Sequence, residues 1–389
     1  MIANNQKSAA ALAVCAFSFA VSACGPESSK APGSIVLPAS ETATISALAP
    51  AVAPVASNTS ANNPIYSPPA VAAKPFFRNG VSMSNSINGY IEDITRFVKP
   101  YIVNAGARAI RMPLRRKNLW NGVALTPVIK LNGYDTPQLE PIFKNIELSI
   151  SNDVMFVIDD HTYSQYAEPD LLKFWVAFGT ALQQRFGNND LIVLELQNES
   201  GKGAWDPAYA QSVKALVAGI RAAGITYPLA IGWGNWNNVA NFGQAMADLD
   251  KVGGPGTIDP LNRLIWTGHH YPTTTGNDQA KSGKSNPEIS GSSVSPAIPT
   301  FFDGCKARRL QCMITEIGVG GGARGWLENG SGNPEFNGKA WFKQYDEIQS
   351  RYAGTVVGTI VWGGGSAWPD TYPFKVEYQK DGWAHTNLH

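Results

Sequence analysis

Two glutamates stand where short apolar runs of the chain come to an end. Residues 191–196 lead into Asn198 and Glu199, and residues 312–315 lead into Glu316. Such runs are typical of strands buried on both faces of a parallel sheet, and they would deliver both carboxylates to the same end of that sheet. A fixed pair of carboxylates is what hydrolysis of a glycosidic bond requires. The alternative is two buried strands that each stop at a solvated acid.

Eight apolar runs alternate with helical patterns through the folded part of the chain. The expected strands are residues 77–83, 109–114, 154–161, 191–199, 229–233, 264–271, 313–318 and 359–362. The expected helices are residues 91–105, 137–151, 169–186, 207–223 and 341–351. This alternation predicts an α/β protein with a (β/α)8 TIM barrel. A doubly wound open sheet is the alternative, but no Gly-x-Gly-x-x-Gly turn follows the first strand.

The carboxyl ends of the expected strands carry polar and aromatic side chains. They are Arg111, His161, Asn198, Glu199, His269, Tyr271, Glu316 and Trp362. Active sites of such barrels lie at these strand ends, so the convergence predicts an active site. Each residue taken singly has a structural alternative. Arg111 could be a partner in a buried ion pair, His161 and His269 could be core residues whose ring nitrogens are hydrogen-bonded, and Trp362 could pack in the core.

Together these positions resemble glycoside hydrolase family 5, the family of many cellulases and mannanases, over about residues 76–378. The matching motifs are Arg111 in Ile-Arg-Met-Pro, His161 in Asp-Asp-His-Thr-Tyr, the pair Asn198-Glu199, His269 and Tyr271 around the variable His270, Glu316 in Thr-Glu-Ile-Gly, and the eighth-strand Trp362. The resemblance implies that Glu199 is the acid/base and Glu316 the nucleophile of a retaining double displacement. Their carboxyls should then lie roughly 5–5.5 Å apart.

The resemblance also implies which residues bind substrate: Arg111, His161, Asn198, His269, Tyr271, Trp362 and Trp368. The stretch 361–374 is similar to the Trp-x-x-Gly-x-Trp-Trp segment of endo-β-1,4-glucanases of the family. Two departures from the pattern are Ser200, where Pro commonly follows the Asn-Glu pair, and Pro369, which replaces the second Trp of a pair. They leave the chemistry intact and put the exact substrate in doubt.

We therefore expect an endo-acting enzyme that cleaves β-1,4-glucan of the cellulose type. Another polysaccharide, such as mannan, xyloglucan or a bacterial exopolysaccharide, is the alternative within the family. A non-catalytic glycan-binding lipoprotein is the alternative from another class. The chemistry needs neither a metal nor an organic cofactor, and none is expected.

The bulk composition narrows the expected partners. The chain has 389 residues, a net charge of +1 and 16% charged residues. This balance argues against nucleic-acid binding, which usually shows a clustered basic surface. A polysaccharide is the expected partner, and a monomer is the default.

The amino-terminal segment predicts export. Residues 1–24 read as a signal peptide, with Lys7 before an apolar stretch at 9–21 and a lipobox-like ending at Cys24. Residues 25–74, rich in Pro, Ala and Ser, predict a flexible linker, so the catalytic domain would span residues 75–389. The expected location is the outer membrane or cell surface through a lipid on Cys24, which would be the only membrane contact. A periplasmic or secreted protein is the alternative.

Two further cysteines, Cys305 and Cys312, lie in the expected catalytic domain. In an exported chain they could form a short-loop disulfide if the geometry allows it. Two free buried thiols are the alternative, and the sequence leaves both open.

Overall fold

The computed structural model describes residues 77–271, 293–318 and 338–366, together with Trp368 and Val376. The expected signal peptide at 1–24 with Cys24 and the expected linker at 25–74 lie outside these described residues. Within them, no helix combines the length and apolar character that crossing a membrane requires.

Eight parallel strands close into a barrel, which confirms the predicted (β/α)8 fold. The described part of the chain contains ten strands, eight in the barrel and two in a hairpin: β1 (Gly80–Met83), β2 (Ala109–Leu114), β3 (Val128–Leu131), β4 (Tyr134–Pro137), β5 (Met155–Asp160), β6 (Ile192–Glu195), β7 (Leu229–Ile231), β8 (Leu264–His270), β9 (Gln311–Ile317) and β10 (Val356–Gly364). The hydrogen-bonded order is β1, β2, β5, β6, β7, β8, β9, β10 and back to β1, while β3 and β4 form a separate hairpin. All eight barrel strands therefore direct their carboxyl ends to one face.

Helices connect the strands and cover the barrel. They are α1 (Lys99–Val103), α2 (Leu139–Ser151), α3 (Pro169–Phe186), α4 (Tyr209–Ala222), α5 (Phe242–Asp250), α6 (Ala297–Ala307) and α7 (Gly338–Ser350). The expected helix at 91–105 is instead a π-helical turn, Ile94–Val98, that runs into the short α1. Helices α5 and α6 were not among the elements predicted from the sequence.

The barrel interior is apolar below the level of the site. A compact cluster of side chains fills it: Ala109, Met155, Val157, Val193, Ala230, Ile265, Met313, Val357 and Ile360. The first strand approaches the second so closely that a Cβ at Gly80 would lie 1.8 Å from the carbonyl oxygen of Ala109. The interior is therefore a packed core, and the polar strand ends form a layer above it.

The hairpin between β2 and α2 was not among the elements predicted from the sequence. Strands β3 and β4 pair antiparallel from Val128 with Pro137 to Leu131 with Tyr134. The side chains of Ile129 and Leu131 lie close to Gly89, so the hairpin packs on the turn after β1. Its strands have only four residues each, too few for a clear alternating pattern.

Both cysteines of the catalytic domain are free and fully buried in the structure. Cys305 lies near the end of α6 and Cys312 near the start of β9. Burial and a hydrogen bond with Cys312 raise the pKa of the Cys305 thiol well above its usual value. Of the two alternatives, the structure contains the free thiols.

Candidate active site

The residues predicted for the site lie together at the carboxyl ends of the barrel strands. Arg111 lies in β2, His269 in β8, Glu316 in β9 and Trp362 in β10, while the others directly follow β5, β6 and β8 or stand just beyond β10. Side chains up to 257 positions apart, from Arg111 to Trp368, thus share one face of the barrel. This is the geometry that parallel closure imposes on strand-end residues.

Arg111 is fully buried at the centre of the site, and each of its guanidinium nitrogens has a partner. Its Nη1 donates to Oε1 of Glu316 at 2.7 Å, and its Nη2 donates to Oδ1 of Asn198 at 2.8 Å. Its Nε donates to Oε2 of Glu195 at 2.6 Å, and Nη2 also lies 2.9 Å from Oδ2 of Asp159. The guanidinium therefore joins the two predicted motifs that carry Asn198 and Glu316.

Glu316 is held as an anion. The hydroxyl of Tyr271 donates to its Oε2 at 2.6 Å, opposite the Arg111 bond to Oε1. Burial by itself raises the pKa of Glu316, but the charges of His269 and Arg111, with the Tyr271 hydrogen bond, outweigh it and lower the pKa to about 2. A carboxylate that stays ionised at working pH is what a nucleophile requires.

Glu199 lies beside Glu316 in an unusual backbone conformation. Its φ of 44° is in the left-handed region, which turns the chain directly after β6. Nδ1 of His269 lies 2.9 Å from its Oε1, and one oxygen each of Glu199 and Glu316 lie within 4.8 Å of each other. The two carboxyls are thus close enough to act on opposite sides of one bond.

A line of aromatic rings leads away from this pair. Nδ1 of His161 lies 2.7 Å from Oδ2 of Asp159, and its Nε2 lies 2.8 Å from the hydroxyl of Tyr163. Burial and the charge of Arg111 lower the pKa of His161 to about 4, so the ring is neutral. The neutral ring stacks on Trp362, with centroids 5.5 Å apart, and Trp368 meets Trp362 edge-on at 5.8 Å.

Asn198 offers an unused donor beside the two carboxyls. Arg111 fixes the orientation of its amide through Oδ1. Its Nδ2 is buried and has no hydrogen-bond partner in the part of the chain that the structure describes. A buried donor of this kind needs a partner, which a bound hydroxyl would supply.

Several site residues were missed or left aside by the sequence analysis. Glu195 and Asp159 contact Arg111 from below, and Tyr163 contacts His161. Trp236, which was not among the predicted site residues, is 53% exposed and meets Tyr163 edge-on at 6.4 Å. The acids could have been noticed as charges inside buried strands, whereas nothing local distinguishes Trp236.

Glu199, His269 and Glu316 also form the acid and imidazole cluster that could in principle ligate a cation. Both oxygens of Glu316 already accept hydrogen bonds, from Arg111 and Tyr271. The guanidinium 2.7 Å from the carboxylate would repel a divalent ion at the same place. The donor set therefore fits acid and base chemistry better than it fits a resident metal.

Comparisons with known proteins identify the family to which the chain is similar. The model of the family described as cellulase (glycosyl hydrolase family 5) matches residues 72–354. The chain is 25% identical over 247 residues to the manganese-dependent endoglucanase Eg5A of Phanerodontia chrysosporium. That alignment covers 60% of this chain and 57% of Eg5A, so the chain spans little more than half of this relative's length.

Solved structures share the fold. A triple variant of an endo-β-1,4-glucanase from Xanthomonas axonopodis pv. citri superposes with a TM-score of 0.57 and 16% identity, over 78% of this chain and 93% of that one. A β-mannanase from Streptomyces thermolilacinus gives a TM-score of 0.51 and 18% identity, over 78% of this chain and 86% of that one. At these identities the likeness supports the barrel alone.

The family model covers well over half of the chain and includes all the predicted strand-end residues except Trp362 and Trp368. The predicted family and the predicted enzyme class are therefore confirmed: the chain belongs to glycoside hydrolase family 5.

Proposed function

We propose that the protein is a retaining, endo-acting glycoside hydrolase that cleaves β-1,4-glucan of the cellulose type. The observation that carries the proposal is the pair Glu199 and Glu316, with oxygens within 4.8 Å of each other. Retaining enzymes hold their two carboxyls roughly 5–5.5 Å apart, whereas inverting enzymes leave roughly 6.5–9.5 Å for a water molecule. The short separation supports retention.

In the first step Glu316 attacks the anomeric carbon of the sugar. The bond from that carbon to the glycosidic oxygen breaks, and the oxygen takes the proton of the Glu199 carboxyl. The product is a glycosyl ester on Glu316 and a shortened chain with a free hydroxyl. Arg111 and Tyr271 hold the attacking carboxylate in one orientation, so little reorganisation is needed at the moment of attack.

In the second step Glu199, now ionised, takes a proton from water as the water oxygen attacks the same carbon. The ester bond breaks, Glu316 leaves as a carboxylate, and the sugar is released with its original anomeric configuration. The hydrogen bonds from Arg111 and Tyr271 favour this departure because they stabilise the anion.

Further residues would hold the sugar chain. The free Nδ2 donor of Asn198 suits the sugar 2-hydroxyl, a contact that strengthens in the oxocarbenium-like transition state. Trp362 and Trp368 would support the rings on the non-reducing side of the cleaved bond. Trp236 lies against Gly203, in the turn that follows Glu199, so it would support the ring that leaves.

The choice of β-1,4-glucan rests on the Trp-rich stretch after β10 and on the endoglucanases among the similar proteins. Mannan is the second candidate, because a β-mannanase shares the fold. Eg5A is described as manganese dependent. In this chain Arg111 and Tyr271 already bind both oxygens of Glu316, and neither proposed step uses a metal. A non-catalytic glycan-binding role would not require the Arg111 and Tyr271 contacts to Glu316.

The deciding experiment compares carboxymethylcellulose, mannan, xylan and xyloglucan as substrates for the wild type and for Glu316→Gln. We expect reducing ends from the cellulose derivative with an early fall in viscosity, the sign of internal cleavage, and loss of both in the variant. Proton NMR of the first product should show the β-anomer. Activity only on another glycan would contradict the proposed substrate, and an α-anomer would contradict the retaining mechanism. Glycan binding without hydrolysis would contradict the proposal that the protein is an enzyme.

We also propose that the chain is exported and anchored through a lipid on Cys24, on the support of the apolar stretch and lipobox-like ending at its amino terminus. Expression of the full chain followed by detergent phase partitioning tests this. The wild type should enter the detergent phase and Cys24→Ala the aqueous phase. Equal partitioning of the two would contradict the lipid anchor.

A further inference from the structure

A third carboxylate, Glu195, lies beneath the active pair and is fully buried. It is the last residue of β6, four positions before Glu199, and it pairs in register with Asp159 of β5. The side chains that fill the barrel below this level are apolar. Burying one more ionisable acid there costs free energy that packing alone would not justify.

Both oxygens of Glu195 accept hydrogen bonds, one from a residue that also binds Glu316 and one from the residue next to Glu316 in the chain. Oε2 accepts from Nε of Arg111 at 2.6 Å, and Nη1 of the same guanidinium donates to Glu316 at 2.7 Å. Oε1 accepts from the hydroxyl of Thr315 at 2.8 Å, and Thr315 directly precedes Glu316 in β9. Glu195 is therefore connected to Glu316 by two separate routes, one through a side chain and one through the backbone.

The geometry of the guanidinium explains what the first route achieves. The group is planar and its donors have fixed directions, so a bond that fixes Nε also fixes where Nη1 points. With Glu195 in place, Nη1 is directed at Oε1 of Glu316. Without that anchor, Arg111 keeps its contacts to Asp159 and Asn198 through Nη2 and is free to rotate about them.

We propose that Glu195 is a positioning residue for the nucleophile, acting through Arg111 and Thr315 on Glu316. It touches neither the substrate nor the reacting atoms. The inference rests on the proposed function, because it assigns Glu195 to the covalent step on Glu316. Its effect should appear in the rate of that step and not in the binding of substrate.

The test uses Glu195→Gln, Thr315→Val and Thr315→Ser, each with a dinitrophenyl 2-deoxy-2-fluoro-β-cellobioside. This probe forms a stable ester on the nucleophile, and its leaving group departs without an acid, so the labelling rate reports Glu316 alone. Glu195→Gln has one acceptor oxygen where Glu195 has two, so it cannot accept from both Arg111 and Thr315, and a bond to its neutral amide oxygen is weaker than a bond to a carboxylate. We expect its labelling rate and its kcat to fall about tenfold or more, with KM within about twofold of the wild type.

The threonine variants test the route through Thr315 separately from the route through Arg111. Thr315→Val should slow labelling because it removes the hydroxyl, and Thr315→Ser should restore most of the rate because it returns the hydroxyl. The double variant Glu195→Gln with Thr315→Val should be no slower than Glu195→Gln alone, since the Thr315 hydroxyl contributes only through its bond to the Glu195 carboxylate. Circular dichroism and thermal melting confirm that each variant is folded.

Two outcomes would overturn the inference. One is a lower melting temperature in Glu195→Gln with an unchanged labelling rate, which would make Glu195 a stabilising residue only. The other is a double variant in which the two losses simply multiply. Failure of the proposed function looks different: the wild type itself would then neither take the label nor hydrolyse any of the polysaccharides.

Discussion

Nδ1 of His269 lies 2.9 Å from Oε1 of Glu199. The same nitrogen lies 3.7 Å from Oε2 of Glu316, so one imidazole stands between the two carboxyls. Burial lowers the pKa of His269, but the charge of Glu316 and the hydrogen bond to Glu199 raise it by more. The pKa of His269 is therefore higher than the usual histidine value of 6.5. An imidazolium at this place in turn contributes to the low pKa of Glu316.

The raised pKa of His269 predicts how stability changes above neutral pH. A base whose pKa is higher in the folded state adds stability that is fully present below about pH 6.5 and is lost as pH rises through the folded pKa. The melting temperature of the wild type should therefore fall with rising pH above 6.5, and that of His269→Gln should fall less. Parallel melting curves from pH 6 to 9 would contradict the prediction.

His161 predicts the opposite dependence. Its pKa is lowered to about 4, so between pH 6.5 and 4 the unfolded chain binds a proton that the folded chain does not. Stability should be lost as pH falls through this window, and His161→Gln should lose less of it than the wild type. Melting temperatures of the wild type and of His161→Gln, measured from pH 4 to 6.5, check this. A melting temperature that falls more steeply with acid in His161→Gln than in the wild type would contradict the prediction.

Replacing Glu199 and replacing Glu316 should affect activity differently, because only the role of Glu199 depends on the leaving group of the substrate. Glu199→Gln should lose about 10²- to 10⁴-fold in kcat on polysaccharide, because the leaving oxygen needs a proton. It should keep a normal first step on a dinitrophenyl cellobioside, whose leaving group needs none, and azide should accelerate turnover by replacing the water that Glu199 activates. Glu316→Gln, the control, should be inactive on both substrates and unaffected by azide. Similar losses of Glu199→Gln on both substrates would contradict its role as the acid.

Trp236 should contribute to substrate binding on the leaving side. Replacing it with alanine removes an exposed aromatic face, so we expect KM for cello-oligosaccharides to rise about three- to tenfold, with a smaller change in kcat. Tyr134→Ala is the control, since Tyr134 is 77% exposed but lies on the β3–β4 hairpin. Equal effects of the two substitutions would argue against a platform at Trp236.

Gly203 should be required to place Trp236. Its φ is +85°, and a Cβ there would lie 2.2 Å from Nε1 of Trp236. Gly224 has a similar φ of +80° but open space around it, so Gly224→Ala measures the backbone strain alone, about 1 kcal/mol. Gly203→Ala should cause the same backbone strain and should also displace Trp236. Its KM should therefore rise as in Trp236→Ala. Identical KM values for the two glycine variants, measured with unfolding curves, would contradict the assignment.

The sequence by itself determined the barrel and the predicted catalytic pair. Apolar runs such as the one before Asn198 and Glu199 indicate strands buried on both faces, and eight such runs separated by helices leave few topologies. Since parallel strands end on one face, the order of motifs along the chain was enough to bring Arg111, Glu199 and Glu316 together. This reasoning needs only local patterns and the rule of parallel closure.

The tertiary structure decided what these residues do to one another. That Glu195 contacts Arg111, or that His269 lies between the two carboxyls, depends on strand register and side-chain direction between distant segments. The place of Trp236 depends on a turn in which Asn235, Trp236 and Asn237 all have positive φ. Such backbone is stabilised only by its surroundings, so local sequence does not reveal it. Long-range contacts set the charges and orientations of the site, and only the folded chain contains them.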